Sequence, residues 1–274
     1  MSKSQTETKS TQGMRRWVVK AGSNMVLSGG PLLLRTWMQQ VAQLRREHNI
    51  EVIWVTSGAI ASAADRVPSA RVKKNRTLSE KQALSAIGQP MVMDLYNLAL
   101  NATGLLGAQI LLTYDDIADD QRRRNFQNTV EQLLAWDVTP VLNENDAVAT
   151  EEIKFGDNDS LSARVAWVTR AERLLILTDV AGLYDSDPRK NPDAQRVTNL
   201  KRVTQELLDS TDKGSGSSRG TGGMYSKLSA AQLAAEHGVE TWLVQGDVPS
   251  VLLQVANNAD VGTRIDAMRR RSEK

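Results

Sequence analysis

The chain contains no cysteine in its 274 residues, which excludes disulfides and thiolate metal sites. Histidine is nearly absent too. His48 and His237 each precede a residue suited to ending a helix, Asn49 and Gly238. A cation there complements the helix dipole, and the following residue supplies a left-handed cap. Both are read as helix-end residues rather than catalytic groups. No apolar run approaches the ~20 residues of a membrane helix. The stretch from Met1 to Gly13 is polar and lacks the apolar core of a secretory signal. A cytoplasmic location without membrane association is the default expectation. Charge of one sign is also missing: 34 Lys and Arg against 32 Asp and Glu leave +2, too little to point to nucleic acid. The basic spots at Arg71 to Arg76, Arg122 to Arg124 and Arg269 to Arg271 lack interleaved aromatics. They read as solvated loops or helix faces.

What is present is an ordinary globular balance, 41% hydrophobic and 24% charged, enough to bury a sizeable core. Short apolar runs alternate with long helical patterns. Arg16 to Lys20, Glu51 to Thr56, Gly107 to Thr113, Val138 to Asn143, Arg173 to Asp179 and Glu240 to Gln245 read as strands covered on both faces. Leu32 to Glu47, Ser79 to Asn101, Arg123 to Trp136, Asn158 to Arg170 and Gly223 to His237 read as helices. This alternation predicts an α/β fold with a mainly parallel sheet and helices on both sides. A disordered tail is expected over residues 1–14 and a basic tail over 266–274. Between them, 15–265 is expected to form a single domain on one continuous sheet. Its substrate half runs to about residue 161 and its nucleotide half covers 162–265. Thr211 to Gly220, rich in Gly and Ser, reads as a mobile loop. Asp185 to Asp193, with Pro188 and Pro192, is another loop.

Four constellations carry the chemistry. In Val18-Val19-Lys20-Ala21-Gly22-Ser23-Asn24 a strand ends in lysine and turns at a glycine, so backbone N–H groups and a positive charge face the same space. In Val55-Thr56-Ser57-Gly58-Ala59-Ile60 a strand gives way to small residues entering a helix. Ser57 there either holds a substrate group or caps the helix. Asn143, Asp146, Asp157, Asn158 and Asp159 gather carboxylates and amides at a strand end and a helix start. They suit a substrate bearing an ammonium group, or a carboxylate that positions lysines, with magnesium binding as the competitor. Gly220, Gly222 and Gly223 precede a helix as an N–H-lined anion cradle, and Lys227 lies about one turn inside it. Two lysines, two glycine turns and an aspartate cluster at corresponding strand ends point to phosphoryl transfer.

These residues resemble the glutamate 5-kinases, within the amino acid kinase family. The resemblance runs from about Arg15 to Arg264. It is carried most specifically by Pro140 to Thr150, Glu152-Ile153-Lys154 and Gly156-Asp157-Asn158-Asp159. Val55 to Ile60, Leu177-Thr178-Asp179, Gly182-Leu183-Tyr184 and Gly220 to Met224 also match. The resemblance implies a three-layer αβα sandwich and transfer of the ATP γ-phosphoryl group to the side-chain carboxylate of L-glutamate, the first step of proline biosynthesis. By the same resemblance, Lys20 and Lys227 stabilise the transferring group and Asp159 holds them in place. Ser57, Asp146 and Asn158 bind glutamate, with Asp157 close by. Lys20, Gly22, Thr178, Asp179 and the segment Thr221, Gly222, Gly223, Met224, Tyr225, Ser226 and Lys227 contact ATP, whose phosphates carry magnesium. It further implies a homo-oligomer, dimer or tetramer, and proline as a feedback inhibitor. The chain departs from the family pattern at Ala63, at Ser23-Asn24 and at Ser226, and ends too early for the extra C-terminal domain of many members. Two alternatives stay open: a sibling kinase acting on another carboxylate, carbamate or phosphate, and a silent homologue that senses glutamate or proline.

Overall fold

The computed structural model of the chain describes residues 13–71, 75–150, 158–188, 191–211 and 223–268. Six strands form where the apolar runs lie: β1 (Arg15–Ala21), β2 (Ile50–Val55), β3 (Leu106–Leu112), β4 (Val138–Glu144), β5 (Arg173–Thr178) and β7 (Glu240–Gln245). Two short strands, β6 (Asn199–Leu200) and β8 (Thr263–Ile265), extend the sheet beyond the sequence reading. The order is β3-β4-β2-β1-β5-β7-β8-β6. All pairings are parallel except β7 with β8. At two and three residues, β6 and β8 are too short to show a periodic pattern.

Helices cover both faces, as the unbroken apolar strands require. Along β1, Val18 faces one layer while Trp17, Val19 and Ala21 face the other. The same alternation divides Ile53 and Val55 from Val52 and Trp54 in β2, and Leu174 and Ile176 from Leu175 and Leu177 in β5. The first face is covered by α6 (Asp120–Ala135), α7 (Asn158–Val168) and α9 (Met224–Glu236). The second is covered by α1 (Ser23–His48), α4 (Leu78–Asn101) and α10 (Val251–Ala256). The result is a three-layer αβα sandwich with a mostly parallel sheet. Four short helices complete the chain: α2 (Ala59–Ala64), α3 (Pro68–Arg71), α5 (Tyr114–Ala118) and α8 (Gln205–Ser210).

The start of α1 corrects one expectation. The helix begins at Ser23 rather than Leu32 and is broken at Gly30, with φ 58° and ψ −165°. Pro31 disfavours a helical conformation in the residue before it, and glycine alone accepts these angles readily. The apolar periodicity resumes only after the break, so the sequence pattern marks the second segment alone. At the other end Asn49 adopts φ 55° and donates its N–H to the Leu44 carbonyl, and Gly238 has φ 77°. Both histidines therefore sit at helix ends, and His237 stacks on Trp167 with centroids 4.2 Å apart. The basic triplet is engaged locally: Arg122 pairs with Asp116 at 3.4 Å, and Arg123 with Asp120.

The N-terminal edge of the sheet is tied by ion pairs. Arg16 meets Glu51 at 2.6 Å and Glu131 at 2.7 Å. Arg173 meets Glu240 at 2.7 Å, with its guanidinium over the rings of Trp17 and Trp242. One backbone contact places the site's outer wall: a Cβ added at Gly88 of α4 would lie 1.8 Å from the Ala59 carbonyl oxygen. Gly88→Ala is thus expected to lower stability by roughly 1–3 kcal/mol, the usual cost of overpacking, by pushing α2 off α4. An unchanged midpoint in urea unfolding would refute this contact.

Candidate active site

Because the central strands run parallel, β1, β2, β4 and β5 deliver their C-terminal residues to one edge of the sheet. The chain leaves β1 for β2 on one side and returns to pair β5 on the other. Lys20, near the end of β1, stands at that switch point, where open α/β sheets bind ligands. Its partners across the sheet are Val55 and Ile176.

Lys20 Nζ lies 2.5 Å from Asp159 Oδ1, and Lys227 Nζ lies 3.4 Å from Asp159 Oδ2. Ser226 Oγ donates to the same Oδ2 at 2.8 Å. Asp159 is the second residue of α7 and is fully buried. The helix start favours its charge. Burial alone would raise its pKa. The charges of Lys20 and Lys227, with hydrogen bonds from Lys20 and Ser226, overcome that and hold it at about 2. Lys227 sits in the first turn of α9. Two residues far apart in sequence are thus joined through one carboxylate.

Three helices open onto this edge behind glycines: α1 after Gly22, α2 after Gly58 and α9 after Gly223. None receives a side-chain cap. Elsewhere Thr77, Asp119 and Thr204 cap α4, α6 and α8 with their side chains, while α10 behind Ser250 is also uncapped. Amide donors at the site-facing helix ends are left for an anion. Neither conformation nor packing demands glycine at Gly22, since its φ is −74° and an added Cβ would sit at an ordinary contact distance, 3.6 Å, from Lys20 Nζ.

A second, adjoining cluster is built from amides. Asn158 Nδ2 contacts the Thr56 carbonyl at 2.8 Å, Ser57 Oγ at 2.6 Å and Asn143 Oδ1 at 2.8 Å. Ser57 is therefore not a helix cap; Gly58 holds that position. Asn143 Nδ2 donates to Gln89 Oε1 at 2.7 Å. Among the described residues Asn158 Oδ1 is buried without a partner, at a cost of roughly 1–3 kcal/mol. An ammonium or other donor on a ligand would relieve it. Asp146 is half-buried, with Oδ2 3.4 Å from Ser85 Oγ of α4.

The other expected residues lie around these two clusters. Thr178 is buried at the end of β5, its Oγ1 3.2 Å from a carboxylate oxygen of the exposed Asp179. Met224 and Tyr225 are half-buried and pack on the first core face. Asp157, Thr221 and Gly222, with most of the Gly- and Ser-rich loop, fall outside the described residues. Ala63 is fully buried and its methyl packs with Ala64 and Leu84. Gln89 and Ser85 were missed in the sequence. Their signal is a polar residue on the buried stripe of α4, which also carries Gly88, Val92, Met93 and Tyr96. Among the described residues no three His, Asp or Glu side chains form a metal-binding group. Asp159 is occupied by two lysines, so this donor set does not fit a resident metal ion.

A model of the amino acid kinase family matches residues 15–245. A glutamate 5-kinase of Trichlorobacter lovleyi is 43% identical over 256 residues, covering 92% of this chain and 67% of its own length. Those of Chromobacterium violaceum and Ectopseudomonas mendocina are 42% and 41% identical, each over 92% of this chain and 68% of their own. The chain thus spans about two thirds of the length of these relatives. A solved structure of isopentenyl phosphate kinase shares the fold, with a TM-score of 0.59 at 17% identity over 92% of this chain and all of that one.

The depressed Asp159 value fixes a pH dependence. A carboxylate whose folded pKa is lowered from 3.8 to about 2 contributes its full stability above about pH 4. That contribution is lost as pH falls through 2. Urea midpoints measured from pH 5 to pH 2 are expected to fall more steeply for the parent protein than for Asp159→Asn. Parallel curves would show that the carboxylate is not ionised in the folded state as described.

Proposed function

The chain belongs to the amino acid kinase family, and from that premise we propose that it phosphorylates the side-chain carboxylate of L-glutamate with ATP. The products are γ-glutamyl phosphate and ADP, the first step of proline biosynthesis. The observation that carries this reading is the convergence of Lys20 and Lys227 on one buried carboxylate, Asp159. A binding protein has no use for two buried ammonium groups aimed where a phosphoryl group would transfer. A phosphotransferase needs them, because its transition state spreads negative charge over the phosphoryl oxygens.

In this reading the uncapped starts of α1 and α9 and the ammonium of Lys227 receive the nucleotide phosphates. Thr178 and Asp179 line the nucleotide side at the end of β5. Glutamate occupies the amide cluster, its α-ammonium meeting Asn158 Oδ1 and Asp146, with Ser57 beside it. A γ-carboxylate oxygen attacks the γ-phosphorus as the bond to the β–γ bridging oxygen breaks, and ADP leaves with that electron pair. No enzyme base is required, since the carboxylate is already ionised at neutral pH. Lys20 and Lys227 neutralise charge on the group in flight, and Asp159 with Ser226 keeps both lysines aimed. Magnesium is proposed as part of the nucleotide substrate, carried on its phosphates.

The same proposal includes self-association and a cytoplasmic site of action. β3 is an edge strand, and exposed Leu106 on it and exposed Leu98 on neighbouring α4 offer apolar surface to a second copy. Among the described residues no helix is long and apolar enough to cross a membrane.

A coupled ADP-release assay offering glutamate, aspartate, N-acetylglutamate and carbamate tests the reading. Turnover is expected with glutamate, and silence with every acceptor would refute it. Lys227→Ala is expected to lower kcat by ~10²-fold or more through lost charge stabilisation, with glutamate binding retained. Asp146→Ala is expected to weaken glutamate binding chiefly; unchanged affinity in calorimetry would sink its assignment.

A further inference from the structure

We infer that Gln89, in the middle of α4, is a positioning residue for the acceptor pocket, acting through Asn143 to hold Asn158 in place. The inference rests on the glutamate-kinase reading above. An amide side chain has two chemically opposite ends, so the end turned toward a ligand decides whether it donates or accepts. Here the orientation is set by a chain of contacts anchored on backbone at two points. The Glu144 N–H can only donate, and it does so to Asn143 Oδ1 at 3.0 Å. The Thr56 carbonyl can only accept, and it takes a hydrogen bond from Asn158 Nδ2 at 2.8 Å. Between these anchors Asn143 Oδ1 and Asn158 Nδ2 meet at 2.8 Å. Reversing either amide would set like against like at an anchor.

What remains is the Asn143 NH2 group. Asn143 is 2% exposed, so its Nδ2 has no recourse to solvent, and it donates to Gln89 Oε1 at 2.7 Å. Gln89 is itself buried, at 7% exposure. Its backbone is fixed in turn, because Gly88 brings α4 against the backbone of Ala59, two residues after Ser57. The line Gln89–Asn143–Asn158–Ser57 therefore connects a packed helix to the substrate pocket. Without the acceptor on Gln89, the Asn143 amide must turn or tilt to satisfy its nitrogen, and Asn158 loses one of the three contacts that hold its Nδ2. Gln89 touches neither lysine of the phosphoryl site. Its effect belongs to acceptor binding and spares the nucleotide.

The test is steady-state kinetics of glutamate-dependent ADP release for Gln89→Met and Gln89→Glu beside the parent, with thermal midpoints recorded for each. Methionine fills the same length without an acceptor of comparable strength; glutamate keeps a carboxylate oxygen where Oε1 stood. Gln89→Met is expected to raise the KM for glutamate about tenfold, the effect of one displaced hydrogen bond. The KM for ATP and kcat should stay within about twofold, and Gln89→Glu should recover most of the glutamate KM. A glutamate KM within twofold of the parent in Gln89→Met overturns the inference. So does an equal loss in both variants across KM for ATP and kcat, which marks a merely structural residue. If Gln89→Met fails to fold, Gln89→Asn, which withdraws the amide by one methylene, is judged on the same criteria. A parent protein inert toward glutamate sinks the proposed function and this inference with it; an active parent with an unaffected variant sinks only the inference.

Discussion

One buried carboxylate organises the working edge of this protein. Asp159 is shut off from solvent, yet it stays ionised because two ammonium groups and a hydroxyl surround it. The dependence runs in both directions. The lysines tolerate a buried setting because the carboxylate is there, and the carboxylate tolerates it because of them. Lys20 comes from the central strand, Lys227 from the first turn of α9 and Asp159 from the first turn of α7. A single ionic contact thus joins three elements from the middle and one face of the sandwich. The neighbouring amide cluster then draws on β2, β4 and α4 without sharing a side chain with that triad.

The two edges of the sheet use buried charge differently. At the N-terminal edge Arg16 and Arg173 are matched by carboxylates and backbone carbonyls, and Arg173 also lies against aromatic rings. Those guanidiniums are paired with carboxylates within the fold, so they stitch strands to helices. At the C-terminal edge one buried carboxylate serves two cations. Burial alone does not mark function; two lysines sharing one carboxylate in a cleft is the more telling sign.

Much of this was legible in the chain. Unbroken apolar runs in β1, β2, β4 and β5 announced a sheet covered on both sides, and their common direction placed Lys20, Ser57, Asn143 and Thr178 on one edge. Family resemblance, rather than spacing, suggested that Asp159 holds both lysines. Other features left no periodic trace. β6 and β8 are too short to show a pattern, and the first segment of α1 is hidden by the break at Gly30 and by its many small residues. Gln89 reads as any helix glutamine until the fold puts Asn143 beside it. Ser57 reads equally well as a cap or a substrate contact in the sequence, and the position of Gly58 at the helix start removes the capping reading.

The glycines that begin α1, α2 and α9 carry an engineering consequence. Serine, threonine or aspartate at a helix start ordinarily strengthens a fold, and anyone seeking a tougher protein would install them there first. At Gly22 or Gly223 such a residue would set its own oxygen, or a negative charge, on the amides that the proposed function assigns to the nucleotide phosphates. Robustness and turnover pull against each other at these positions. These three helix ends, left without side-chain caps, are the ones that the proposed function turns toward its substrates.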